Sequence, residues 1–248
     1  MSFLNKTGII SIFFNYESVL MNLARENVPI ITIDGPAGSG KGTISQSIAT
    51  KLGWNLLDSG ALYRLVGLAA TIKGIALDDE VALSVIARDL DVSFKPGDSG
   101  IVDIILDNNL VTDDIRTEEA GASASKVAAV SGVRKALLER QRQFQTDPGL
   151  VADGRDMGTV VFPTAKIKIF LTASAEIRAE RRLNQLKQQG INANLRGLIR
   201  DIEERDARDT NRKDAPLIPA EDAIIIDTST MSIDEVVNTV MEAVEKVY

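Results

Sequence analysis

Cysteine and histidine are both missing from this chain. Without cysteine there is no disulfide scaffold, no thiolate zinc site and no cysteine nucleophile. Without histidine, imidazole bases and most transition-metal chemistry are removed as well. An excess of positive charge is also absent, and the net charge of −7 argues against a protein that coats nucleic acid. The apolar stretch Gly8 to Phe14 is too short to span a bilayer. No internal repeat or low-complexity tract stands out. Phosphoryl transfer survives these exclusions, because it relies on positioning and charge neutralisation rather than on a protein nucleophile.

What is there is ordinary for a globular chain: 44% hydrophobic and 25% charged residues, 248 in all, enough for one substantial core with a smaller insertion. The lack of cysteine fits a cytoplasmic location. Residues 1–28 read as an N-terminal extension of different character, and residues 1–20 as a dispensable tail or start-site artefact ahead of Met21.

The chain is organised around Ile30 to Thr43. A short β-branched run, Ile30-Ile31-Thr32-Ile33, reads as a buried strand, and Ile44, Ile48 and Leu52, four apart, read as one face of a helix. Between them lies Gly35-Pro36-Ala37-Gly38-Ser39-Gly40-Lys41-Gly42-Thr43. Glycines let backbone N–H groups curl around an anion, and a helix N-terminus favours negative charge. Lys41 is placed to reach the outer phosphates of a nucleoside triphosphate. The residue after Lys41 is Gly42, so the hydroxyl that faces Mg²⁺ in such loops falls one place later, at Thr43.

Further along, Trp54 to Leu57 reads as a second strand, and Ala61–Ile72 and Leu77–Leu90 read as helices. Val92-Ser93-Phe94, the turn signals Lys95 to Gly100, Ile101–Leu106, a turn at Asp107-Asn108-Asn109, and Leu110-Val111 predict a small antiparallel sheet. Ile115 to Phe144 returns to helix, broken near Ser131-Gly132. Runs at Leu150-Val151-Ala152, Ile167–Leu171 and Ala223–Ile226 complete five strands separated by helices, which predicts a parallel three-layer α/β core. Residues 176–214 hold ten basic and eight acidic side chains, locally basic within an acidic chain. Arg205, Arg208 and Arg212 share one helix stripe, with Asp209 placed to orient Arg205 or Arg212; a solvated, salt-bridged helix face is the plainer explanation.

Clusters at strand ends are where open α/β sheets bind ligands. Here they are Asp58-Ser59-Gly60-Ala61-Leu62-Tyr63-Arg64 and Ala152-Asp153-Gly154-Arg155-Asp156-Met157-Gly158. Arg64 and Arg155 suit a phosphate dianion, because a guanidinium fork matches its oxygens. These motifs, with Thr159-Val160-Val161-Phe162-Pro163, Glu204-Arg205-Asp206 and Asn211-Arg212, resemble those of the bacterial cytidylate kinases from Pro29 almost to the C-terminus. The loop motif is shared with other nucleoside monophosphate kinases, whereas the second and third motifs are more specific.

The resemblance implies a P-loop kinase core with a five-stranded parallel sheet (29–59, 113–175 and 215–248). It also implies a nucleoside monophosphate-binding insertion with the antiparallel sheet (about 60–112) and a helical lid (about 176–214). The implied reaction transfers the γ-phosphate of ATP to CMP or dCMP with Mg²⁺ bound, by a monomer without nucleic-acid or membrane partners. Gly35 to Thr43 fall on the ATP loop, and Lys41, Arg64, Arg155 and Arg212 on phosphate-contacting catalytic positions. Ser59, Arg134 and Asp156 fall at the cytosine, and Ser125, Arg205 and Asp209 at the pentose. Taken singly, each has a plainer explanation. Ser59 could cap a helix, Asp156 could bridge Arg155, Ser125 could be an ordinary helical serine and Arg134 a surface residue. Other readings are a kinase for UMP, AMP or an alcohol, and a nucleotide-binding regulator without turnover. A GTPase is disfavoured, since the only Asn-Lys pair, Asn5-Lys6, lacks the following Asp and precedes the loop.

Overall fold

The computed structural model describes residues 27–96, 102–188 and 190–248. The expected N-terminal tail at residues 1–20 and the turn at Gly97 to Gly100 lie outside the described residues.

Five short runs pair into one parallel sheet: β1 (Ile30–Asp34), β2 (Asn55–Asp58), β6 (Leu150–Gly154), β7 (Ile167–Thr172) and β8 (Ile224–Asp227), in the order β2-β6-β1-β7-β8. Strand β1 is central, flanked by β6 and β7, and all five of its residues are buried. Alternate side chains enter different cores. Ile31 and Ile33 join Val151, Ile169 and Leu171 beneath α1 (Lys41–Leu52) and α8 (Ile233–Glu245). Ile30 packs on the opposite face with Leu150 and Ala152 against α2 (Ser59–Ile72) and its neighbours. Burying Ile44 and Ile48 of α1 contributes roughly 1.5–3 kcal/mol each.

Helix α1 stops at Gly53 (φ 65°), whose N–H returns to the last turn. Helix α8 opens on a capping box between Ser232 and Glu235. The antiparallel sheet is β3 (Val92–Pro96), β4 (Val102–Leu106) and β5 (Asn109–Leu110). Its β4–β5 turn is Asp107-Asn108, both at positive φ (46° and 66°), so Leu106 pairs directly with Asn109.

Several sequence expectations shift here. The second helical pattern begins at α3 (Glu80–Arg88) rather than Leu77, because the Asp79 side chain accepts from Ala82 N and caps it there. The stretch 115–144 is a 3₁₀ turn at Asp114–Arg116, then α4 (Glu118–Val127) and α5 (Ser131–Arg142). The break falls at residues 128–130, and Gly132 lies inside α5. A Cβ at Gly132 would stand 2.0 Å from Ser84 Oγ, so glycine serves the close approach of α3 and α5 instead of ending a helix. After β6 the chain makes one π-helical turn, Met157–Val161, for which the sequence carries no pattern. Two further helices, α6 (Ala175–Gln188) and α7 (Leu195–Asn211), pack on each other in the charged segment.

Candidate active site

Residues 35–42 form a loop between β1 and α1, with Gly35, Gly38 and Gly40 at positive φ (148°, 78° and 94°). Gly35 must be glycine for space too, since a Cβ there would lie 2.2 Å from the Leu171 carbonyl oxygen. Helix α1 begins after Gly40 with no side-chain cap, so its first N–H groups face the concavity of the loop. Ser39 Oγ donates to Pro36 O (3.1 Å), bracing the loop. Lys41 Nζ donates to the same carbonyl (3.0 Å) and lies 3.9 Å from Asp153. Burial, and then the neighbouring Arg155, push the Lys41 amine well below its ordinary range. Thr43 sits exposed in the first turn of α1, and the Asp153 carboxylate lies beside Gly42.

Across the strand ends a second group assembles from elements distant in sequence. Arg155, just past β6, donates from Nε to Asp209 Oδ2 on α7 (3.1 Å). Asp209 also accepts from Ser125 Oγ on α4 (2.9 Å), and Arg208 Nη1 donates to Ser125 Oγ (3.1 Å). Burial alone would raise the Asp209 pKa. Arg155, Arg205, Ser125 and Arg212 outweigh it and hold the carboxylate below its usual range. Asp156 is buried and ion-paired with Arg134 of α5, whose guanidinium lies 5.8 Å from the centre of the Tyr63 ring. Arg64 sits 3.8 Å from Asp58. Arg212, at the end of α7, donates from Nε to Ala215 O (2.6 Å), and its Nη2 is buried without a protein partner.

Cations outnumber carboxylates in this space, and they depress one another. Burial and Arg155 lower Arg205 to about 10, and burial and Arg134 lower Arg212. In a chain of net charge −7, that local surplus is an anion site.

The structure therefore brings Arg64, Ser125, Arg134, Arg155, Asp156, Arg205, Asp209 and Arg212 to one side of the sheet ends, with Ser59 buried next to them at the start of α2. The plainer explanations are corrected. Asp58 caps α2 through Ala61 N (3.0 Å), which frees the Ser59 hydroxyl to donate to Gln141 Oε1 (2.6 Å). Asp156 pairs with Arg134 rather than with Arg155, and Arg134 is nearly buried. Helix α7 is more than a solvated face, since Asp209 is 4% exposed. Arg208, by contrast, lies exposed at the rim.

Sequence reasoning passed over three residues. Arg178 of α6 is buried, donating from Nη1 to the loop carbonyl of Ala37 (3.1 Å) and to Asp206 of α7 (3.0 Å), so it joins the loop to both charged helices. Asp34 accepts from Met157 N and Gly158 N (2.8 Å each), tying the base of the loop to the Arg155–Asp156 segment. Gln141 carries a signal in the sequence, because Val133, Leu137 and Gln141 recur every four residues on the buried face of α5.

A backbone phosphate loop on a parallel sheet, with a guanidinium-rich anion site across the strand ends, defines a P-loop kinase of the nucleoside monophosphate class. The profile of the cytidylate kinase family matches residues 31–246, and this chain belongs to that family. A cytidylate kinase of Marinomonas sp. (strain MWYL1) is 58% identical over 218 residues, covering 88% of this chain and 96% of the relative. One of Colwellia psychrerythraea is 57% identical over 217 residues, with coverages of 88% and 96%. One of Shewanella sp. (strain W3-18-1) is 55% identical over 222 residues, with coverages of 89% and 96%.

Proposed function

We propose that this chain transfers the γ-phosphoryl group of ATP to CMP or dCMP, yielding ADP and CDP or dCDP. The observation that carries the reading is the adjacency of two anion sites: Arg155 and Arg205 stand close enough to Lys41 to lower its pKa. A donor triphosphate on the 35–43 loop and an acceptor phosphate among Arg64, Arg155 and Arg212 would then share one electropositive space. An oxygen of the CMP phosphate attacks the γ-phosphorus while the bond from that phosphorus to the β,γ-bridging oxygen breaks, and ADP leaves with that oxygen. The attacking oxygen is already ionised near neutral pH, so no histidine or other base is needed. The arginines cancel repulsion between the two substrates and stabilise the charge spread over the transferring group, as Lys41 does from the donor side.

Asp156 reads the base in this proposal, because a carboxylate accepts from the cytosine 4-amino group that uracil lacks. Arg134 orients Asp156 and donates to the ring, while Ser125, Arg205 and Asp209 hold the pentose. Residues about 60–112 serve as the acceptor-binding insertion and about 176–214 as a lid, whose closure keeps water from the transferring group. Among the described residues no cluster of three acidic or histidine side chains could hold a metal alone. That fits Mg²⁺, which takes few protein oxygens and is held mostly by phosphates and water, with the exposed Thr43 hydroxyl as the protein donor. When bound, the ion neutralises phosphate charge. Among the described residues no helix is long and apolar enough to cross a membrane, and a cytoplasmic, monomeric enzyme completes the reading.

The test is an ADP-release assay with ATP, magnesium and a panel of CMP, dCMP, UMP, AMP and small alcohols. CMP and dCMP are expected to turn over fastest, with CDP and dCDP as products. A folded preparation that makes no CDP overturns the proposal.

A further inference from the structure

Ser59 and Gln141 are 3% and 1% exposed, and the serine hydroxyl donates to the glutamine carbonyl oxygen at 2.6 Å. The amide is held in that orientation from its other end, where Nε2 donates to Leu137 O (3.3 Å) within α5. The Gln141 side chain also hydrogen-bonds Tyr63, one turn after Ser59 on α2. Arg134 precedes Gln141 by two turns on the same helix, lies over the Tyr63 ring and pairs with Asp156. Ser59, Gln141, Tyr63, Arg134 and Asp156 thus form one continuous polar strip in an otherwise apolar layer.

A serine hydroxyl has one hydrogen and two lone pairs. With that hydrogen committed to Gln141, Ser59 can present only lone pairs to a ligand. We propose that Gln141 is a positioning residue for pyrimidine selection: by holding the Ser59 hydrogen it makes Ser59 an acceptor, which suits the 4-amino group of cytosine and opposes the 4-carbonyl of uracil. The inference rests on Ser59 facing the base. The amino group has two hydrogens, and Asp156 and Ser59 offer an acceptor for each. Uracil would set its own oxygen against two acceptors, leaving buried polar atoms unpaired. Were the Ser59 hydroxyl free to rotate, it could turn its hydrogen to uracil and part of that opposition would vanish.

The experiment compares kcat/KM for CMP and UMP in the wild type, Gln141→Leu, Ser59→Ala and the double variant, each with a melting curve. Gln141→Leu is expected to lower the CMP-to-UMP ratio by about tenfold, partly through faster UMP turnover, which a merely structural defect would not give. Adding Ser59→Ala should lower the ratio no further than the larger single effect, as for two residues acting through one contact. Gln141→Met keeps the length of the side chain and answers the same question if the leucine variant does not fold. A ratio unchanged by Gln141→Leu, with Ser59→Ala lowering it, overturns the role of Gln141 while leaving Ser59 at the base. A ratio unchanged by Ser59→Ala removes Ser59 from the base and overturns the inference through its premise.

Discussion

The two halves of the site are built in opposite ways. The donor half is nine consecutive residues, Gly35 to Thr43, whose anion-binding groups are backbone N–H dipoles aimed by positive-φ glycines and the start of α1. The acceptor half is made of side chains from α2, α4, α5, α7 and the end of β6, held by ion pairs such as Arg155–Asp209 and Arg134–Asp156. Backbone dipoles are fixed once the loop folds. Guanidinium groups must instead be held apart against their own repulsion, and that is the work of the buried carboxylates. A donor half of this kind should tolerate loss of most side chains, whereas the acceptor half should respond to each.

Lys41 is the one exception expected on the donor side, and its loss should have the largest effect. Lys41→Ala is expected to lower kcat by at least about a thousandfold, since it removes the one mobile cation aimed at the transferring group. The melting temperature should hold or rise, because a buried amine with a depressed pKa is a burden on the folded state. A variant retaining a tenth of the wild-type rate would leave the donor half resting on backbone alone.

The arginines come next, and two of them separate catalysis from architecture. Arg212→Ala should lower kcat by about a hundredfold with little change in stability, because Nη2 has no protein partner to abandon. Arg155→Ala should lower kcat comparably and also reduce stability by roughly 3 kcal/mol, because it strands the buried Asp209. Steady-state kinetics beside urea denaturation would show whether the two part in this way. Asp156→Ala should act more narrowly, lowering the CMP-to-UMP ratio of kcat/KM by about tenfold to a hundredfold. An unchanged ratio would mean that this carboxylate serves only to anchor Arg134.

The same contrast explains what could be read from the sequence. The loop was legible because glycine spacing, strand and helix all lie within about one supersecondary unit. The five strands were legible from their apolar runs, and the β4–β5 turn from Asp107-Asn108-Asn109. Gly132 misled, because a glycine demanded by close packing looks like one that ends a helix. In the acceptor half, family resemblance supplied the residues, but nothing in the order of residues told that Asp156 would pair with Arg134, 22 positions away, or Arg155 with Asp209, 54 away. Such pairings depend on how the sheet and helices pack. Arg178 was lost among the other charges of its segment for the same reason, since only the fold shows that it reaches Ala37.

Asp34 belongs to both halves, and the smallest expected effect falls there. It ends β1, directly before the loop, yet its oxygens accept from Met157 N and Gly158 N beyond the acceptor residues Arg155 and Asp156. Burial raises its pKa to about 7 despite those two N–H groups, with Asp156 and Asp153 adding to the rise. In the unfolded chain it ionises near the model value of 3.8. A carboxyl that keeps its proton longer when folded favours folding at low pH, and that contribution is lost as pH rises toward the folded pKa. Asp34→Asn has no proton to lose, so the lost contribution is missing from the variant. The stability of the wild type relative to the variant should therefore fall by about 3 kcal/mol between about pH 5 and 7 and then level off. The buried Lys41 titrates in both proteins and cancels in the difference. Urea denaturation across that range would show it. Parallel curves would mean that the two backbone donors keep Asp34 ionised throughout, making it a fixed anionic clamp between the halves of the site.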